Sequence, residues 1–354
     1  MPPRRGVALA RSAMSVSDPH TVPTDPGVEW VKDEASVVEP PPDGEVDPVA
    51  QNVWPASARR TGVYGVVTPN VIRLHDGNWR LYYTQILPRP GHPAGANDYD
   101  NSTSRILSST SADGVTWSPE PGVRLSPQAA GGGEFRVVSP EVVPLGDGSG
   151  ELRMYYECCP GPQSTASTIR SARSSDGGVN WALEEGQRLA GGGSYNSPRV
   201  VVLDDGRWRL YCSDRGVGII SSISADGGRT FQREEGIRIA PSTPFEAVTA
   251  FAPEVLRIAG AGYRMYYAGY SALNRAYILS AVSEDGLTWH KQQQPVISPG
   301  GRWDAAKCSE MCVTYVGDSG TRPSYRLFYE ACDGTAPDQR GVWRIASATA
   351  SHTG

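Results

Sequence analysis

The sequence predicts an all-β protein, a five-bladed β-propeller with four antiparallel strands in each blade. Three observations lead to this prediction. A unit of apolar and aromatic strands recurs five times, 40 glycines and 29 prolines are spread along the chain, and the last unit lacks one strand. Many short strands joined by tight turns at a regular spacing are typical of propellers.

Each repeat opens with a short apolar strand after a proline step. The copies read TPNVIRL from Thr68, SPEVVPL from Ser139, SPRVVVL from Ser197 and APEVLRI from Ala252, and the fifth, SEMCVTYV from Ser309, lacks the proline. Their second positions are 69, 140, 198, 253 and 309, so successive copies are 71, 58, 55 and 56 residues apart. A period of this size is that of one propeller blade.

A second strand with alternating aromatic residues follows in every copy. It reads WRLYYTQ from Trp79, LRMYYEC from Leu152, WRLYCSD from Trp208, YRMYYAG from Tyr263 and YRLFYEA from Tyr325. Alternation with a period of two is a strand signal. Third and fourth strands complete the unit, as RILSSTS and GVRLSP do in the first copy.

The missing strand of the last unit is predicted at the other end of the chain. The fifth unit ends near Ala350 after three strands, and VEWVKDEASVVEPP, with Trp30, matches the Trp-to-apolar spacing after Trp117. An N-terminal strand that completes the last blade would close the ring and remove exposed sheet edges. We therefore expect residues 1–28 to be a disordered leader and 29–354 a single five-bladed β-propeller domain.

Composition excludes several functional classes. The formal net charge is -5 and no run of Lys or Arg indicates a nucleic-acid partner. No apolar stretch approaches the ~20 residues of a membrane span, and the apolar stretch at residues 6–10 is shorter than a secretory core of ~7–15 residues. We expect a cytoplasmic protein without nucleic-acid or membrane partners, whose oligomeric state the sequence does not indicate. The six cysteines show no disulfide framework and are interpreted as buried thiols.

The turn after the third strand resembles the Asp box of sialidases, S-x-D-x-G-x-T-W. SSDGGVNW from Ser174 and SADGGRTF from Ser224 match it, and SADGVTW from Ser111 and SEDGLTW from Ser283 are one residue shorter. The aspartate of such a turn can accept backbone N–H bonds, and glycine can supply positive φ. We therefore interpret these aspartates as structural.

The proline step with its acidic residue resembles that of the arabinanase, β-xylosidase and invertase group of glycosidases. FAPE at residues 251–254 is similar to the W-A-P-[DE] step of arabinanase-like enzymes. The resemblance implies a five-bladed propeller that hydrolyses glycosidic bonds. One departure is VTPN at residues 67–70, which has no carboxylate where that family places its general base. Either another blade supplies the base or the family chemistry is lost.

The innermost strands of a propeller line a central channel, so equivalent positions in these strands converge. Those positions are Asn70, Glu141, Arg199, Glu254 and Glu310. Grouped carboxyls can differ in pKa, as acid/base catalysis requires. We predict Glu141, Glu254 and Glu310 as catalytic residues, with Asn70 and Arg199 binding substrate. The alternative is that these carboxylates pair only with arginines.

Further candidate substrate-binding residues lie beside these positions. Glu157, Asp214 and Glu330 end second strands, and others precede or flank first strands, namely Arg136, Asp304, Tyr64, Tyr195 and Trp303. The longest insertion, residues 87–104, is a candidate binding loop or a plain surface loop.

These features favour a glycosidase-like hydrolase that acts on a small sugar or glycoconjugate in the central channel by carboxylate acid/base chemistry. One alternative is a non-catalytic, lectin-like carbohydrate-binding propeller. Another is a non-glycosidase tailoring enzyme, a lyase or isomerase, on the same scaffold. The expected partner is a small-molecule or carbohydrate ligand. We expect no cofactor, although carboxylates in a channel could hold a divalent cation.

Overall fold

A computed structural model describes residues 19–41, 61–89, 96–97, 100–130, 135–189, 191–319, 322–335 and 341–351. Within these ranges the protein is all-β, with 22 strands and a single 3-10 turn at Pro244–Glu246. The described residues include no helix with the length and apolar character needed to cross a membrane.

The first strands along the chain are two short N-terminal ones and those of the first two repeats. The N-terminal strands are β1 (Thr21–Val22) and β2 (Trp30–Lys32). Unit 1 contains β3 (Thr61–Arg73), β4 (Trp79–Pro88), β5 (Ala96–Asn97), β6 (Ser102–Ser111) and β7 (Ser118–Pro119). Unit 2 contains β8 (Arg136–Pro144), β9 (Leu152–Cys159), β10 (Thr168–Ser174) and β11 (Ala182–Leu183).

The remaining repeats follow the same order. Unit 3 contains β12 (Tyr195–Val202), β13 (Trp208–Asp214), β14 (Gly218–Ser224) and β15 (Gln232–Arg233). Unit 4 contains β16 (Thr249–Ile258), β17 (Gly262–Ala272), β18 (Arg275–Ser283) and β19 (His290–Lys291). Unit 5 contains β20 (Lys307–Ser319), β21 (Arg322–Cys332) and β22 (Gly341–Ala350).

Consecutive strands of a unit pair antiparallel, apart from the short β5, which pairs in parallel with the start of β3. Units 2 and 3 are separate four-stranded sheets. Units 4, 5 and 1 are joined into one sheet because β18 pairs in parallel with β20, and β22 with β3. The first strands contact one another in sequence, and β20 of unit 5 contacts β3 of unit 1.

The N-terminal segment packs against the last two units. β2 pairs antiparallel with β22, with Trp30 opposite Ala350, and so lies in the fourth-strand position of unit 5. The hydroxyl of Tyr266 donates to the carbonyl of Gly27 at 2.6 Å. The hydroxyl of Tyr211 donates in the same way to Gly286 in unit 4. Residues 25–30 thus replace the aspartate-glycine turn that the other units supply themselves.

Residues 19–28, which fall within the predicted leader, contact unit 4. β1 pairs in parallel with β16, and Arg264 forms an ion pair with Asp25. The edge of β16 offers backbone partners to this approaching strand. Residues 1–18 lie outside the described part of the chain.

Edge-to-face aromatic pairs connect neighbouring units. Their ring centroids lie 5.6 to 6.0 Å apart, at interplanar angles of 72° to 90°. The pairs are Tyr82–Trp181, Tyr155–Phe231, Tyr211–Trp289, Tyr266–Trp30 and Phe328–Trp117. Such pairs add ~0.5–1.5 kcal/mol each beyond the area that they bury. Aromatic residues of the second strands therefore hold the units together.

The turn aspartates bond within their own turns. Asp226 Oδ1 accepts the backbone N–H groups of Arg229 at 2.9 Å and Thr230 at 3.0 Å. The corresponding carboxylates of Asp113, Asp176 and Asp285 accept equivalent backbone bonds. These bonds lower the pKa of Asp285 to about 2. The contacts agree with a structural role for all four aspartates.

All six cysteine side chains are buried, and no disulfide joins any of them. Burial raises the pKa of the Cys332 thiol to about 11. The Cys332 thiol is therefore protonated near neutral pH, and the six buried cysteines pack as small apolar side chains.

Candidate functional site

The proline steps give the first strands their shape. In units 1 to 4 the residue before the proline has a positive φ between 50° and 55°, and the strand register shifts at the same place. These residues are Thr68, Ser139, Ser197 and Ala252. A non-glycine residue at positive φ is strained, and a bulge redirects the side chains beside it. Each first strand therefore directs two side chains inward, that of the residue before the proline and that of the residue after it.

In the fifth unit, the strand pairing places the position equivalent to Asn70 two residues later in the chain than the sequence comparison does. Cys312 pairs with Phe328 of the second strand, just as Asn70 pairs with Tyr82 in the first unit. Glu310 lies in the bulge, where the other copies have the residue before the proline. This copy lacks the proline step that marks the register in the others. The equivalent positions, here the inner ring, are Asn70, Glu141, Arg199, Glu254 and Cys312.

The inner ring links neighbouring units through backbone hydrogen bonds. A side-chain atom of each ring residue except Arg199 accepts an N–H from the next unit. The bonds are Val142 N–H to Asn70 Oδ1 (3.0 Å), Val200 N–H to Glu141 Oε1 (2.9 Å), Val313 N–H to Glu254 Oε1 (2.9 Å) and Val71 N–H to Cys312 Sγ (3.3 Å). Arg199 is the exception because a guanidinium has no acceptor.

Arg199 crosses the centre of the molecule. Its Nε donates to Glu254 Oε2 at 2.8 Å, and its Nη2 donates to the carbonyls of Met311 (3.0 Å) and Pro69 (3.3 Å). Burial lowers the pKa of Arg199, but Glu141 and Glu254 outweigh this effect and raise it above the ordinary value. Arg199 thus remains charged and bonds to units 1, 4 and 5.

His20 covers the inner ring from the N-terminal segment. Its Nε2 lies 2.7 Å from Glu141 Oε1, and its Nδ1 lies 3.8 Å from Glu254 Oε1. His20 is 3% exposed and both glutamates are 0% exposed. Burial raises the pKa of Glu254, while His20 and Arg199 oppose the rise. Sequence analysis missed His20 because it lies in the stretch assigned to the leader, and only the β-forming pair Thr21–Val22 signalled order there.

A second group of carboxyls lies nearer to solvent, at the end of the molecule where the first strands begin. These residues, here the mouth cluster, are Glu157, Glu310 and Glu330, which are 5%, 8% and 5% exposed. They come from the second strand of unit 2 and from the first two strands of unit 5. All three were predicted from the sequence, although Glu157 and Glu330 were assigned to binding.

Glu310 is held by two hydroxyls. The Oγ atoms of Ser139 and Ser197 each donate to its carboxyl at 3.1 Å. Both serines are residues at positive φ that precede a proline. The proline steps of units 2 and 3 therefore position the acidic side chain of unit 5.

Glu330 and Glu157 also have short contacts. Ser309 Oγ donates to Glu330 at 2.5 Å, and the N–H of Thr68 donates to it at 3.2 Å. The Asn196 amide donates to Glu157 at 2.7 Å. The backbone bond to Glu330 recurs in other units, where Thr84 and Ser213 at the ends of second strands accept equivalent bonds.

The mouth cluster has perturbed acidity. Burial and the neighbouring Glu157 raise the pKa of Glu310 to about 7. Burial and the neighbouring Glu310 raise the pKa of Glu330 to about 8. A carboxyl that still holds its proton near neutral pH can act as a general acid. The cluster therefore has the acidity that acid/base chemistry requires.

Several other predicted residues bond to protein groups. Arg136 is buried and donates to the carbonyls of Ser102 and Gly161. Asp304 lies 2.5 Å from Lys32 and accepts a bond from the Tyr329 hydroxyl at 3.1 Å. These contacts indicate structural roles for Arg136 and Asp304.

The predicted aromatic residues differ in accessibility. Trp303 is partly exposed, donates to the carbonyl of Glu34 and stacks with the guanidinium groups of Arg302 and Arg344. Tyr195 is 3% exposed and so cannot stack on a ligand in this conformation. The side chain of Tyr64 lies outside the described part of the chain, as do residues 90–95, 98 and 99 of the insertion, including His92.

The described residues contain no group of three or more His, Cys, Asp or Glu side chains arranged to hold a metal ion. Asp214 accepts bonds from the backbone of Ser194 and the guanidinium of Arg233, and it lines a groove beside unit 3.

No protein-family model and no curated protein matches this sequence. Solved structures with a similar fold include a thermostable family-43 glycoside hydrolase, 18% identical with a TM-score of 0.61, covering 82% of this chain and 92% of that one. An N-acetylgalactosamine deacetylase from F. plautii, in complex with blood group B trisaccharide, is 17% identical with a TM-score of 0.62. The match covers 91% of this chain and 96% of that one.

An exo-1,5-alpha-L-arabinanase from a bovine ruminal metagenomic library is 16% identical with a TM-score of 0.55. The match covers 82% of this chain and 95% of that one. At these identities the likeness is one of fold. The chain therefore has the propeller-type fold of glycoside hydrolases.

Proposed function

We propose that this protein is a glycosidase-like hydrolase that acts on a small sugar or glycoconjugate at the mouth cluster. The observation that carries the proposal is the grouping of Glu157, Glu310 and Glu330, which are buried but more exposed than the inner-ring glutamates, with the pKa values of Glu310 and Glu330 raised to about 7 and 8. Glycoside hydrolysis uses two carboxyls of different acidity. The fold shared with glycoside hydrolases supports the same chemistry.

The roles follow from the contacts. Glu310 and Glu330 form the pair that keeps a proton and serves as general acid. Glu157 accepts a bond from the Asn196 amide, which orients its carboxyl beside this pair, and we assign it the role of base or nucleophile. Glu141 and Glu254, the other catalytic candidates from the sequence, are 0% exposed and support the fold of the site instead.

The finer architecture belongs to the same proposal. We infer five blades, with residues 29–354 as one domain, residues 19–28 packed against it, and β2 as the fourth strand of the last blade. The aromatic pairs and inner-ring bonds between consecutive units support this arrangement. The turn motifs then correspond to sialidase-type Asp boxes.

The test is turnover of a panel of aryl glycosides by the wild type and by Glu310→Gln, Glu330→Gln and Glu157→Gln. Loss of a general acid or base lowers kcat by about 10²- to 10⁴-fold. Asp205→Asn, in an exposed turn, is the matched control and should retain full activity. Absence of turnover on every glycoside by folded wild type, or undiminished turnover in all three variants, would contradict the proposal.

A second candidate is a non-glycosidase enzyme on the same scaffold. Unit 1 has Asn70 where the arabinanase-like pattern has a carboxylate, and one solved structure with this fold is named a deacetylase. Such an enzyme would alter a sugar without releasing the aglycone. Mass spectrometry of acetylated glycosides after incubation separates the two activities. A lectin-like protein would bind these sugars and leave them unchanged.

A further inference from the structure

A groove of about 660 Å³ lies between units 2 and 3. Its lining includes Ala166 of unit 2. From unit 3 it includes residues 191–194, which precede β12, and residues of the turn after β13. A volume of this size is in the range of small-molecule sites, ~300–1,000 Å³. The groove and the mouth cluster share strand β12, because Asn196, which donates to Glu157, directly follows the lining residue Tyr195.

The floor of the groove requires glycine. Gly191 has a φ of 134°, and a Cβ on Gly193 would lie 2.5 Å from the Tyr195 ring and 2.8 Å from Asp214 Oδ1. Neither position accommodates a side chain without displacing these neighbours. The glycine run therefore keeps the groove open, with Tyr195 buried beneath it.

The charged lining residues of the groove are two arginines and one aspartate. Asp214 already accepts the Ser194 N–H at 3.2 Å and the Arg233 guanidinium at 2.9 Å. The described contacts of the Arg215 side chain are with the carbonyl of Gln163. A guanidinium carries five N–H donors, so both arginines retain donors for a ligand. The groove is therefore cationic and rich in donors, in a protein whose net charge is -5.

We propose that this groove binds the carboxylate of a uronic-acid residue in the substrate, next to the sugar held at the mouth cluster. The proposal rests on the proposed function and adds its substrate class. Arginine matches the planar carboxylate with paired hydrogen bonds. The described hydrogen-bond donors around Glu157, Glu310 and Glu330 include no cationic side chain, so an anionic sugar residue is better held in the groove than among these three carboxyls.

The test compares binding of glucuronate- and galacturonate-containing disaccharides with their neutral counterparts by titration calorimetry at low salt. We expect at least one uronate to bind about tenfold or more tightly than its neutral partner, since charge-assisted bonds are strong. Arg215→Gln and Arg233→Gln should each reduce that preference to below about threefold. Arg207→Gln, an exposed arginine of the same unit outside the groove lining, is the matched control and should keep it.

Several results would overturn the inference. They are equal binding of uronates and neutral sugars, a preference unchanged in both groove variants, and tighter binding of a matched sulfated sugar than of the uronate. Circular dichroism checks that each variant is folded, and Arg215 is exposed, so its substitution should leave the fold intact. Uronate preference without turnover would contradict only the proposed function. Turnover without uronate preference would contradict only this inference.

Discussion

Two glutamates of similar sequence context have different environments. Glu141 accepts the Val200 N–H and the Asn70 amide, contacts His20 and is 0% exposed. Glu310 accepts only the hydroxyls of two serines among its described bonds and is 8% exposed. Burial without a charged hydrogen-bond partner raises the pKa of Glu310. The position of a carboxyl in the bulge or in the inner ring thus decides which groups surround it.

The raised pKa of Glu310 predicts a pH dependence of stability. Its pKa rises from an ordinary 4.5 to about 7 in the folded state, so the unfolded chain ionises first as pH increases. The contribution is fully present below about pH 4 and is lost as pH rises through about 7, amounting to about 3 kcal/mol at most. Glu330, with a pKa of about 8, acts in the same direction.

Urea denaturation of the wild type between pH 4 and pH 9 measures this dependence. Glu310→Gln cannot ionise, so its free energy of unfolding should vary less with pH over that range. Asp205→Asn, exposed and distant, should follow the wild type. A Glu310→Gln profile parallel to that of the wild type would show that the carboxyl has an ordinary pKa.

Arg199→Ala should destabilise the protein strongly. The substitution leaves Glu254, which is 0% exposed, without its charged partner at 2.8 Å. Breaking a buried ion pair in this way costs ~3–5 kcal/mol. Chemical denaturation measures the loss, and Arg207→Ala at the surface should change the free energy of unfolding by less than about 0.5 kcal/mol. A loss below about 1 kcal/mol in Arg199→Ala would mean that the inner ring contributes little to stability.

At the scale of single elements, adjacent glycines in one turn have different requirements. A Cβ on Gly228 would lie 2.1 Å from the Tyr155 hydroxyl and 2.7 Å from the Trp208 ring. Gly227 has a similar positive φ, but nothing lies within 4 Å of its Cβ position. Gly227 therefore supplies backbone conformation alone, whereas Gly228 also makes room for the aromatic contacts between units.

Gly228→Ala should lower the free energy of unfolding by about 3 kcal/mol, because strain and overpacking add. Gly227→Ala, the matched control, should cost about 1 kcal/mol from backbone strain alone. Thermal and urea denaturation of the two variants measure the difference. Equal losses would indicate that the turn moves away from Tyr155 at little cost.

The sequence patterns identified most strands but not every register. Alternation and turn residues located the first and second strands of each unit, because local side-chain chemistry sets strand and turn preferences. The inner ring of unit 5 was misplaced by two residues, with Glu310 assigned to the position of Cys312. Register depends on pairing with the neighbouring strand, and no proline step in that copy indicated it.

At the scale of the whole molecule, the N-terminal segment contributes contacts to several units. His20 contacts Glu141 of unit 2 and Glu254 of unit 4, and Thr24 bonds with the Tyr325 hydroxyl of unit 5. Truncation of residues 1–28 should therefore lower the free energy of unfolding by at least about 3 kcal/mol, as expected when buried charges lose a partner. Truncation of residues 1–18 removes none of the described contacts and is the control. Equal stability of the two truncated proteins would contradict this role for residues 19–28.

The sequence by itself determined the all-β class, the repeated strands, the structural turns and the pairing of the Trp30 segment with the last unit. These features depend on local periodicity and on residues with strong backbone preferences. Only the tertiary structure decided that Glu141 and Glu254 are fully enclosed beside Arg199 and His20, while Glu157, Glu310 and Glu330 retain a small exposed fraction. Burial and acidity depend on which distant segments meet around a side chain, and no local pattern specifies those neighbours.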